Sequence, residues 1–135
     1  MKTLIVEDDF PCRFLLQKLL GCYGPAYIAV NGKESVEAVR TALGGGEPYD
    51  LICMDIMMPE MDGQVALKQI RQVEEDHGIR SSQGVKIIMT TALGDMKNIS
   101  QAFHSLCDAY LTKPIKKSQL IDKLQSLNLV SHAKV

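Results

Sequence analysis

Five short apolar runs, separated by longer amphipathic stretches, constrain how this chain can fold more than any other feature. The runs are rich in β-forming residues and rarely alternate with polar ones: Leu4–Val6, Ile28–Val30, Leu51–Met54, Ile87–Met89 and Ala109–Leu111. Strands that are buried on both faces of a sheet have this pattern. The other stretches carry apolar residues at helical spacing: Leu15–Leu20, Val36–Leu43, Ala66–Val73, Ile99–Leu106 and Leu120–Leu127. Each of them can cover the sheet with one apolar face. Glu74–Gly84 is polar and contains two glycines, which predicts a surface loop before the fourth strand.

Five strands that alternate with five helices predict an α/β fold with a doubly wound parallel sheet, because parallel neighbours require crossover helices. The 135 residues fit one domain of ordinary size, predicted over residues 1–127. Residues 128–135 lack periodicity and are a candidate for a disordered tail. The net charge of −1 gives no positive field to attract nucleic acid or a membrane, and no apolar stretch could span a bilayer. A cytoplasmic protein is therefore predicted.

Polar residues stand at the carboxyl ends of four predicted strands. They are, in chain order, Glu7–Asp9, Asp55, Thr90–Thr91 and Lys113–Pro114. In parallel α/β sheets these ends share one edge, where ligands bind. Carboxylates gathered there would repel one another unless a cation lay among them, and Mg²⁺ commonly combines carboxylates with water and phosphate oxygens. Asp55 could then be the nucleophile in phosphoryl transfer, with Lys113 and Thr91 neutralising the phosphoryl oxygens.

Each of these residues also has an ordinary structural interpretation when it is considered alone. Glu7–Asp9 could form a solvated loop in which Asp9 caps the next helix, and Lys113 could be a surface lysine. Tyr110 lies within an apolar run and could be a core tyrosine. The four cysteines form no C-x-x-C pair, which favours buried, reduced thiols over a disulfide or zinc site. The joint occurrence of the polar residues at strand ends favours an active site.

The chain resembles the receiver domain of response regulators in two-component systems. The segments that carry this resemblance are Ile5–Asp9, Met54–Gly63, Thr90–Ala92 and Lys113–Pro114. The resemblance extends over nearly the whole chain, from about Lys2 to Leu127. It implies a five-stranded sheet with the flavodoxin-like strand order 2-1-3-4-5 and five helices on its two faces.

The resemblance also implies a metal site and a phosphorylation site. Asp55 would accept the phosphoryl group and contact Mg²⁺, for which Mn²⁺ is a plausible substitute. Asp8 would contact the metal directly, Glu7 through a water molecule, and Met57 through its backbone carbonyl. Lys113 would bind the phosphoryl group.

A conformational switch is implied as well. Thr91 matches the switch hydroxyl of the family, because the small Ala92 follows it. Tyr110 matches an aromatic residue that rotates between exposed and buried positions when the charge at the active site changes. The peptide bond that precedes Pro114 is cis in the family.

The function implied by the resemblance is that of a single-domain response regulator, a signalling phosphoacceptor that catalyses only its own phosphotransfer and slow self-dephosphorylation. No histidine of the chain is assigned a catalytic role, so the phosphoryl group would come from a sensor histidine kinase or a histidine phosphotransfer protein. A downstream protein would dock on the face of the predicted fourth helix, fifth strand and fifth helix, which contains Met96–Leu106, Tyr110 and Lys116–Lys123. The protein would be a monomer or a phosphorylation-dependent dimer.

Three other functions share part of this pattern. A phosphorelay intermediate would pass the phosphoryl group onward. A haloacid-dehalogenase-type phosphatase would need a second acid two residues after the nucleophile, where this chain has Met57. A binding module that works without phosphorylation would usually lack the acceptor, the acidic pair or the lysine, and this chain keeps all of them.

Overall fold

The computed structural model describes residues 1–58, 61–80, 83–92 and 106–131. Its five strands are β1 (Thr3–Val6), β2 (Ala26–Ala29), β3 (Leu51–Asp55), β4 (Lys86–Ala92) and β5 (Ala109–Lys113). They form one sheet in the order β2-β1-β3-β4-β5, and every neighbouring pair is parallel. The prediction of a doubly wound α/β fold with this strand order is confirmed.

Four α-helices lie within the described residues: α1 (Phe10–Leu20), α2 (Gly32–Gly44), α3 (Gly63–Asp76) and α4 (Lys117–Ser126). A short 3₁₀ helix, Gly21–Tyr23, follows α1. The helix predicted over Ile99–Leu106 lies outside the described residues except for its last position, so α4 corresponds to the fifth predicted helix. Among the described helices, none combines the length and the apolar character needed to cross a membrane.

The first three helices begin at capping residues in the loops that follow β1, β2 and β3. Asp9, Asn31 and Asp62 each accept a hydrogen bond from the backbone N–H three residues later, at 3.2, 2.8 and 3.0 Å. A capping side chain satisfies one of the N–H groups that a helix start leaves without a partner. Asp9 therefore has the capping role that its position suggested, which leaves Glu7 and Asp8 as the acids available to a site.

The core has two layers, one on each face of the sheet. Residues of α2 and α3 pack on one face, against strand residues that include Leu4, Ile52 and Met89. Residues of α1 and α4 pack on the other face, against Ile5 and Ile88 among others. Because successive strand residues point to opposite faces, this division explains why the apolar runs show no alternation with polar residues.

The end of α3 differs from the sequence prediction, which placed a surface loop from Glu74 to Gly84. Glu74 lies inside α3 and is buried, and its carboxylate accepts hydrogen bonds from Arg71 at 2.7 Å and from the Val85 N–H at 2.7 Å. The prediction was wrong for the first residues of this loop. Charged residues can be buried when they are paired and hydrogen-bonded. A pattern of apolar residues does not reveal such a buried pair, so the end of the helix was placed too early.

The chain continues to pack beyond α4. Leu129 and Val130, which fall in the predicted tail, lie half-buried against the core beside α1 and α4. The Leu129 N–H donates to the Leu124 carbonyl at 2.9 Å. Packed structure therefore extends past Leu127 to at least Val130, while residues 132–135 lie outside the described ranges.

Candidate active site

Two adjacent strands bring acidic residues together at the carboxyl edge of the sheet. In the parallel register of β1 and β3, Val6 pairs with Met54, so the residues that follow them, Glu7 and Asp55, are neighbours. Glu7, Asp8 and Asp55 can each direct one carboxylate oxygen to a common point, with all three atoms within 4.8 Å of one another. Glu7 and Asp55 are buried, whereas Asp8 is exposed and opens the cluster to solvent.

Lys113, at the end of β5, provides the positive charge that faces this cluster. Its Nζ lies 2.9 Å from Oε1 of Glu7 and 3.3 Å from Oδ2 of Asp55. One ammonium group thus contacts two buried carboxylates, and Asp8 adds a third negative charge nearby. The local charge remains negative even with Lys113 in place.

The pKa values of Asp55, Glu7 and Lys113 reflect the same excess of negative charge. Burial, reinforced by the negative charge of Glu7, raises the pKa of Asp55 to about 7. Burial acts on Glu7 in the same direction, but hydrogen bonds led by the one from Lys113 outweigh it and lower the pKa of Glu7. Burial would lower the pKa of Lys113, yet the carboxylates of Glu7 and Asp55 raise it. Asp55 is therefore the acid whose negative charge is least compensated.

This donor set fits a hard divalent cation. Mg²⁺ prefers oxygen ligands and is commonly bound through one or two carboxylates together with water and substrate phosphate. Glu7, Asp8 and Asp55 supply carboxylate oxygens. A cation among them would offset the repulsion from Glu7 that, together with burial, raises the pKa of Asp55.

Backbone groups hold the acidic side chains in place. The Met57 N–H donates to Oδ1 of Asp55 at 3.3 Å, and the Asp9 N–H donates to Oε2 of Glu7 at 3.2 Å. On α1, Nη1 of Arg13 donates to the Glu7 backbone carbonyl at 3.3 Å. The Met57 side chain is 62% exposed, so an apolar group stands next to Asp55 in solvent.

The two threonines at the end of β4 are buried and point to opposite faces of the sheet. Thr91 lies in register with Thr112 of β5, and its hydroxyl donates to the Ala92 carbonyl at 3.3 Å. Thr91 is therefore close to the acidic edge by its place in the sheet, although its described hydrogen bond is to Ala92 and not to Asp55.

Tyr110 lies in β5, in register with Met89 of β4. Its ring is half-buried against the core layer of α2 and α3, on the sheet face that also carries Thr91. Burial and the neighbouring Cys107 thiol raise the pKa of Tyr110. Further along β5, the peptide bond between Lys113 and Pro114 is cis.

Comparison with known proteins decides the family. The chain matches the model of the response regulator receiver domain over residues 3–125. It belongs to that family. A magnesium-bound member has the same fold: the receiver domain of a sensor histidine kinase from Pseudomonas aeruginosa PAO1, with magnesium coordinated in its active-site cleft, matches with a TM-score of 0.74 and 25% identity. The match covers 93% of this chain and 94% of that domain.

Relatives of this receiver domain include both large kinases and a small regulator. The osmosensing histidine protein kinase SLN1 of Saccharomyces cerevisiae is 34% identical over 122 residues, which are 89% of this chain but only 9% of the kinase. The chemotaxis protein CheY of Thermotoga maritima is 29% identical over 129 residues, which are 94% of this chain and 97% of that protein. The chain thus spans a small part of its kinase relatives and nearly all of CheY.

One neighbour of the receiver domain's acidic cluster has no signature in the sequence. Cys12, in the first turn of α1, is half-buried, and burial raises the pKa of its thiol to about 12, with the adjacent Glu7 adding to the rise. The thiol therefore stays protonated beside Glu7. Sequence reasoning treated Cys12 as a buried core residue, because the turn that brings it back toward β1 is not encoded in a motif.

Gly63, the first residue of α3, offers a test of how tightly the receiver domain packs behind Asp55. A β-carbon at Gly63 would meet the Asp55 carbonyl oxygen and lie 2.8 Å from the Ile56 α-carbon. Gly63→Ala is expected to lower the free energy of unfolding by about 1–3 kcal/mol, because backbone would have to move. Urea denaturation measures this change.

Gly44→Ala is the control, since its β-carbon would meet no atom within 4 Å. Equal free energies of unfolding for both variants would show that the backbone between β3 and α3 moves at little cost.

Proposed function

We propose that this receiver domain accepts a phosphoryl group on Asp55 from a phosphohistidine of a sensor histidine kinase or a histidine phosphotransfer protein. The observation that carries the proposal is the buried Asp55 carboxylate, which lies beside Glu7 and Asp8 and 3.3 Å from the Lys113 ammonium group. A phosphoryl acceptor needs a nucleophilic oxygen, positive charge for the phosphoryl oxygens and a place for a metal ion, and these residues supply all three.

In the proposed reaction an Asp55 oxygen forms a bond to phosphorus while the bond between phosphorus and the partner's imidazole nitrogen breaks. The released imidazole keeps the electron pair and takes up a proton. Lys113 neutralises negative charge on the phosphoryl oxygens, and the Met57 N–H keeps the Asp55 carboxylate oriented. The Thr91 hydroxyl turns from the Ala92 carbonyl toward the new phosphoryl group and couples it to Tyr110.

The residues proposed to hold Mg²⁺ are Asp8 and Asp55 directly, Glu7 through a water molecule and Met57 through its backbone carbonyl; Mn²⁺ would serve as a substitute. When bound, the ion supplies neutralisation of the charge that spreads over the phosphoryl oxygens. The negative local charge around Asp55 supports a cation at this place.

The output of the switch is proposed to be a docking surface that includes Tyr110 and α4, which belongs to the predicted face Met96–Leu106, Tyr110 and Lys116–Lys123. Lys116–Lys123 places four charged residues on or next to α4. A downstream protein that recognises the phosphorylated form would bind there, and the same face could join two phosphorylated copies.

A second candidate is a phosphorelay intermediate, which returns the phosphoryl group from Asp55 to a histidine of another protein. The identity of 34% to a segment of a histidine kinase, against 29% to CheY, favours this candidate. The two candidates share Asp55 and differ only in where the phosphoryl group goes next.

The proposal is tested by incubating the protein with acetyl phosphate and Mg²⁺ and measuring the intact mass. The wild-type protein is expected to gain the mass of one phosphoryl group, and the gain should require Mg²⁺. Asp55→Asn should gain nothing. Asp122→Asn, on the exposed side of α4, is the matched control and should behave as the wild type. An adduct that persists in Asp55→Asn would overturn the assignment of the acceptor.

Met57→Asn is expected to shorten the lifetime of the phosphorylated form severalfold. Hydrolysis needs a water molecule in line with phosphorus, and the exposed apolar side chain two residues after Asp55 gives that water no hydrogen-bonding partner. An amide at this position would orient the water. The decay of the phosphorylated mass after removal of acetyl phosphate measures the lifetime, with Met57→Leu as the apolar control. An unchanged or longer lifetime in Met57→Asn would contradict the idea.

A further inference from the structure

A buried ion cluster lies at the amino edge of the sheet, opposite Asp55. It consists of Arg71 and Glu74 on α3 and Asp108, the residue before β5, and is called the α3 ion cluster below. Arg71 and Glu74 are only 6% and 3% exposed. The proposed phosphorylation chemistry uses none of these residues.

Arg71 donates hydrogen bonds in several directions. Nη1 binds Oε1 of Glu74 at 2.7 Å and the carbonyl of Val85, just before β4, at 2.9 Å. Nε binds the carbonyl of Leu106 at 2.8 Å, and Nη2 binds Oδ2 of Asp108 at 3.2 Å. One guanidinium group therefore ties α3 to the backbone that leads into β4 and into β5.

The two carboxylates strengthen the same connection from the other side. Oε2 of Glu74 accepts from the Val85 N–H at 2.7 Å, and Oδ2 of Asp108 accepts from the Ile87 N–H at 2.8 Å. The Asp108 N–H in turn donates to the Ile87 carbonyl at 2.8 Å. The starts of β4 and β5 are thus joined to each other and to α3 by side chains as well as by backbone.

The connection ends close to Tyr110. Leu106, Cys107 and Tyr110 all pack, half-buried, against the same core layer, and Tyr110 follows Asp108 by two residues. Any displacement of the start of β5 must therefore change the position of the Tyr110 ring. At the other end of the same two strands lie Thr91 and Lys113.

We propose that Arg71 is a positioning residue of the phosphorylation switch. By fixing the starts of β4 and β5, the α3 ion cluster holds the Tyr110 ring in the position that it has before Asp55 is phosphorylated. This inference rests on the proposed function, since it assumes that Tyr110 reports on phosphorylation of Asp55. Arginine suits the role, because its planar guanidinium binds acceptors in fixed directions that a lysine ammonium group cannot reproduce.

A buried ion cluster is a costly means of adding stability alone. Well-packed apolar residues of similar size often stabilise a fold as well or better, while in some proteins buried ionic groups specify one arrangement among several. The α3 ion cluster has the features of a specifying device: its members bind backbone groups at the starts of two neighbouring strands.

The test uses two mild variants, Arg71→Lys and Asp108→Asn. Arg71→Lys keeps the charge but cannot reach all four acceptors. Asp108→Asn keeps an oxygen for the Ile87 N–H but loses the negative charge that faces Arg71 and Lys86. The readout is the NMR signal of the Tyr110 ring, assigned by its absence in Tyr110→Phe. It is recorded with Mg²⁺ alone and with beryllofluoride, which mimics a phosphoryl group on Asp55.

In the wild-type protein, beryllofluoride should move the Tyr110 signal to a second position. In both variants the signal without beryllofluoride should already lie at least halfway toward that second position. Arg40→Lys, in the exposed pair of Arg40 with Glu37, is the matched control and should leave the signal in place. Should one variant fail to fold, the other decides.

Two results would overturn the inference. The first is a Tyr110 signal in the folded variants that coincides with the wild-type signal in both conditions, which would make the α3 ion cluster purely structural. The second is a wild-type Tyr110 signal that ignores beryllofluoride although acetyl phosphate modifies Asp55. Absence of the Asp55 adduct itself would count against the proposed function instead.

Discussion

In Mg²⁺-free solution, the Asp55→Asn variant is expected to be more stable than the wild-type protein, with a free energy of unfolding higher by about 1–3 kcal/mol. Two unit charges about 5 Å apart repel by roughly 3 kcal/mol at an effective dielectric constant of about 20. Asp55 faces two carboxylates at such distances and one ammonium group, Lys113, that is shared with Glu7. Removing the charge of Asp55 relieves the repulsion, and the Lys113 ammonium group then pairs with Glu7 alone among the two buried acids.

The measurement is urea denaturation in the presence of EDTA and again with Mg²⁺. The wild-type protein should gain stability from Mg²⁺, by about 2.7 kcal/mol when the ion is at a hundred times its dissociation constant. Asp55→Asn should gain much less, because one of the proposed ligands is missing. Asp122→Asn, which lies on the exposed side of α4, should match the wild type within about 0.5 kcal/mol. A variant less stable than the wild type in EDTA would show that Lys113 outweighs both neighbouring carboxylates.

Arg71→Met is expected to lower the free energy of unfolding by about 3–5 kcal/mol. The substitution leaves Glu74, which is only 3% exposed, without its cation. Asp108 loses Arg71 and, among the described residues, keeps only Lys86, whose Nζ lies 3.9 Å from its Oδ1. The carbonyls of Val85 and Leu106 lose a donor as well. Removing one member of a buried ion pair is costly because the remaining charge stays out of water.

Equilibrium denaturation compares this variant with Arg40→Met, which breaks the exposed pair with Glu37 on α2. Exposed ion pairs contribute about 0–1 kcal/mol, so the control should lose little. If Arg71→Met lowered the free energy of unfolding no more than Arg40→Met does, water would have to reach Glu74 easily. The α3 ion cluster would then be much less buried than its contacts indicate.

The strands and the site edge were predictable because both depend on patterns that a sequence displays directly. Buried parallel strands must be apolar on both faces, and the residue after each run must then stand at the carboxyl edge. Glu7 and Asp55 directly follow their runs, and Lys113 is the second residue after the last run. The contacts of these three residues in the structure agree with the rule. The strand order and the choice of Thr91 over Thr90 came from the resemblance to receiver domains, since neither follows from periodicity.

The α3 ion cluster was not predictable, since the pattern of apolar residues carries no trace of it. Arg71 and Glu74 are charged, and sequence reasoning assigns charged helix residues to the solvent-exposed face. Their partners, Val85, Leu106 and Asp108, lie 11 to 37 positions away along the chain and contribute mainly backbone groups. Such a cluster becomes visible only once the strands are placed in register.

Both ends of the described chain lie at the amino edge of the sheet. Met1, Tyr23, Leu129 and Ser131 line one groove of about 350 Å³ there, and the amino group of Met1 donates to the Tyr23 carbonyl at 3.0 Å. Asp55 lies at the opposite, carboxyl edge of the sheet. A fluorophore or surface tether attached beyond Ser131 would therefore leave the approach to Asp55 open, so that docking of a kinase or phosphotransfer protein could be followed on immobilised protein without blocking the site.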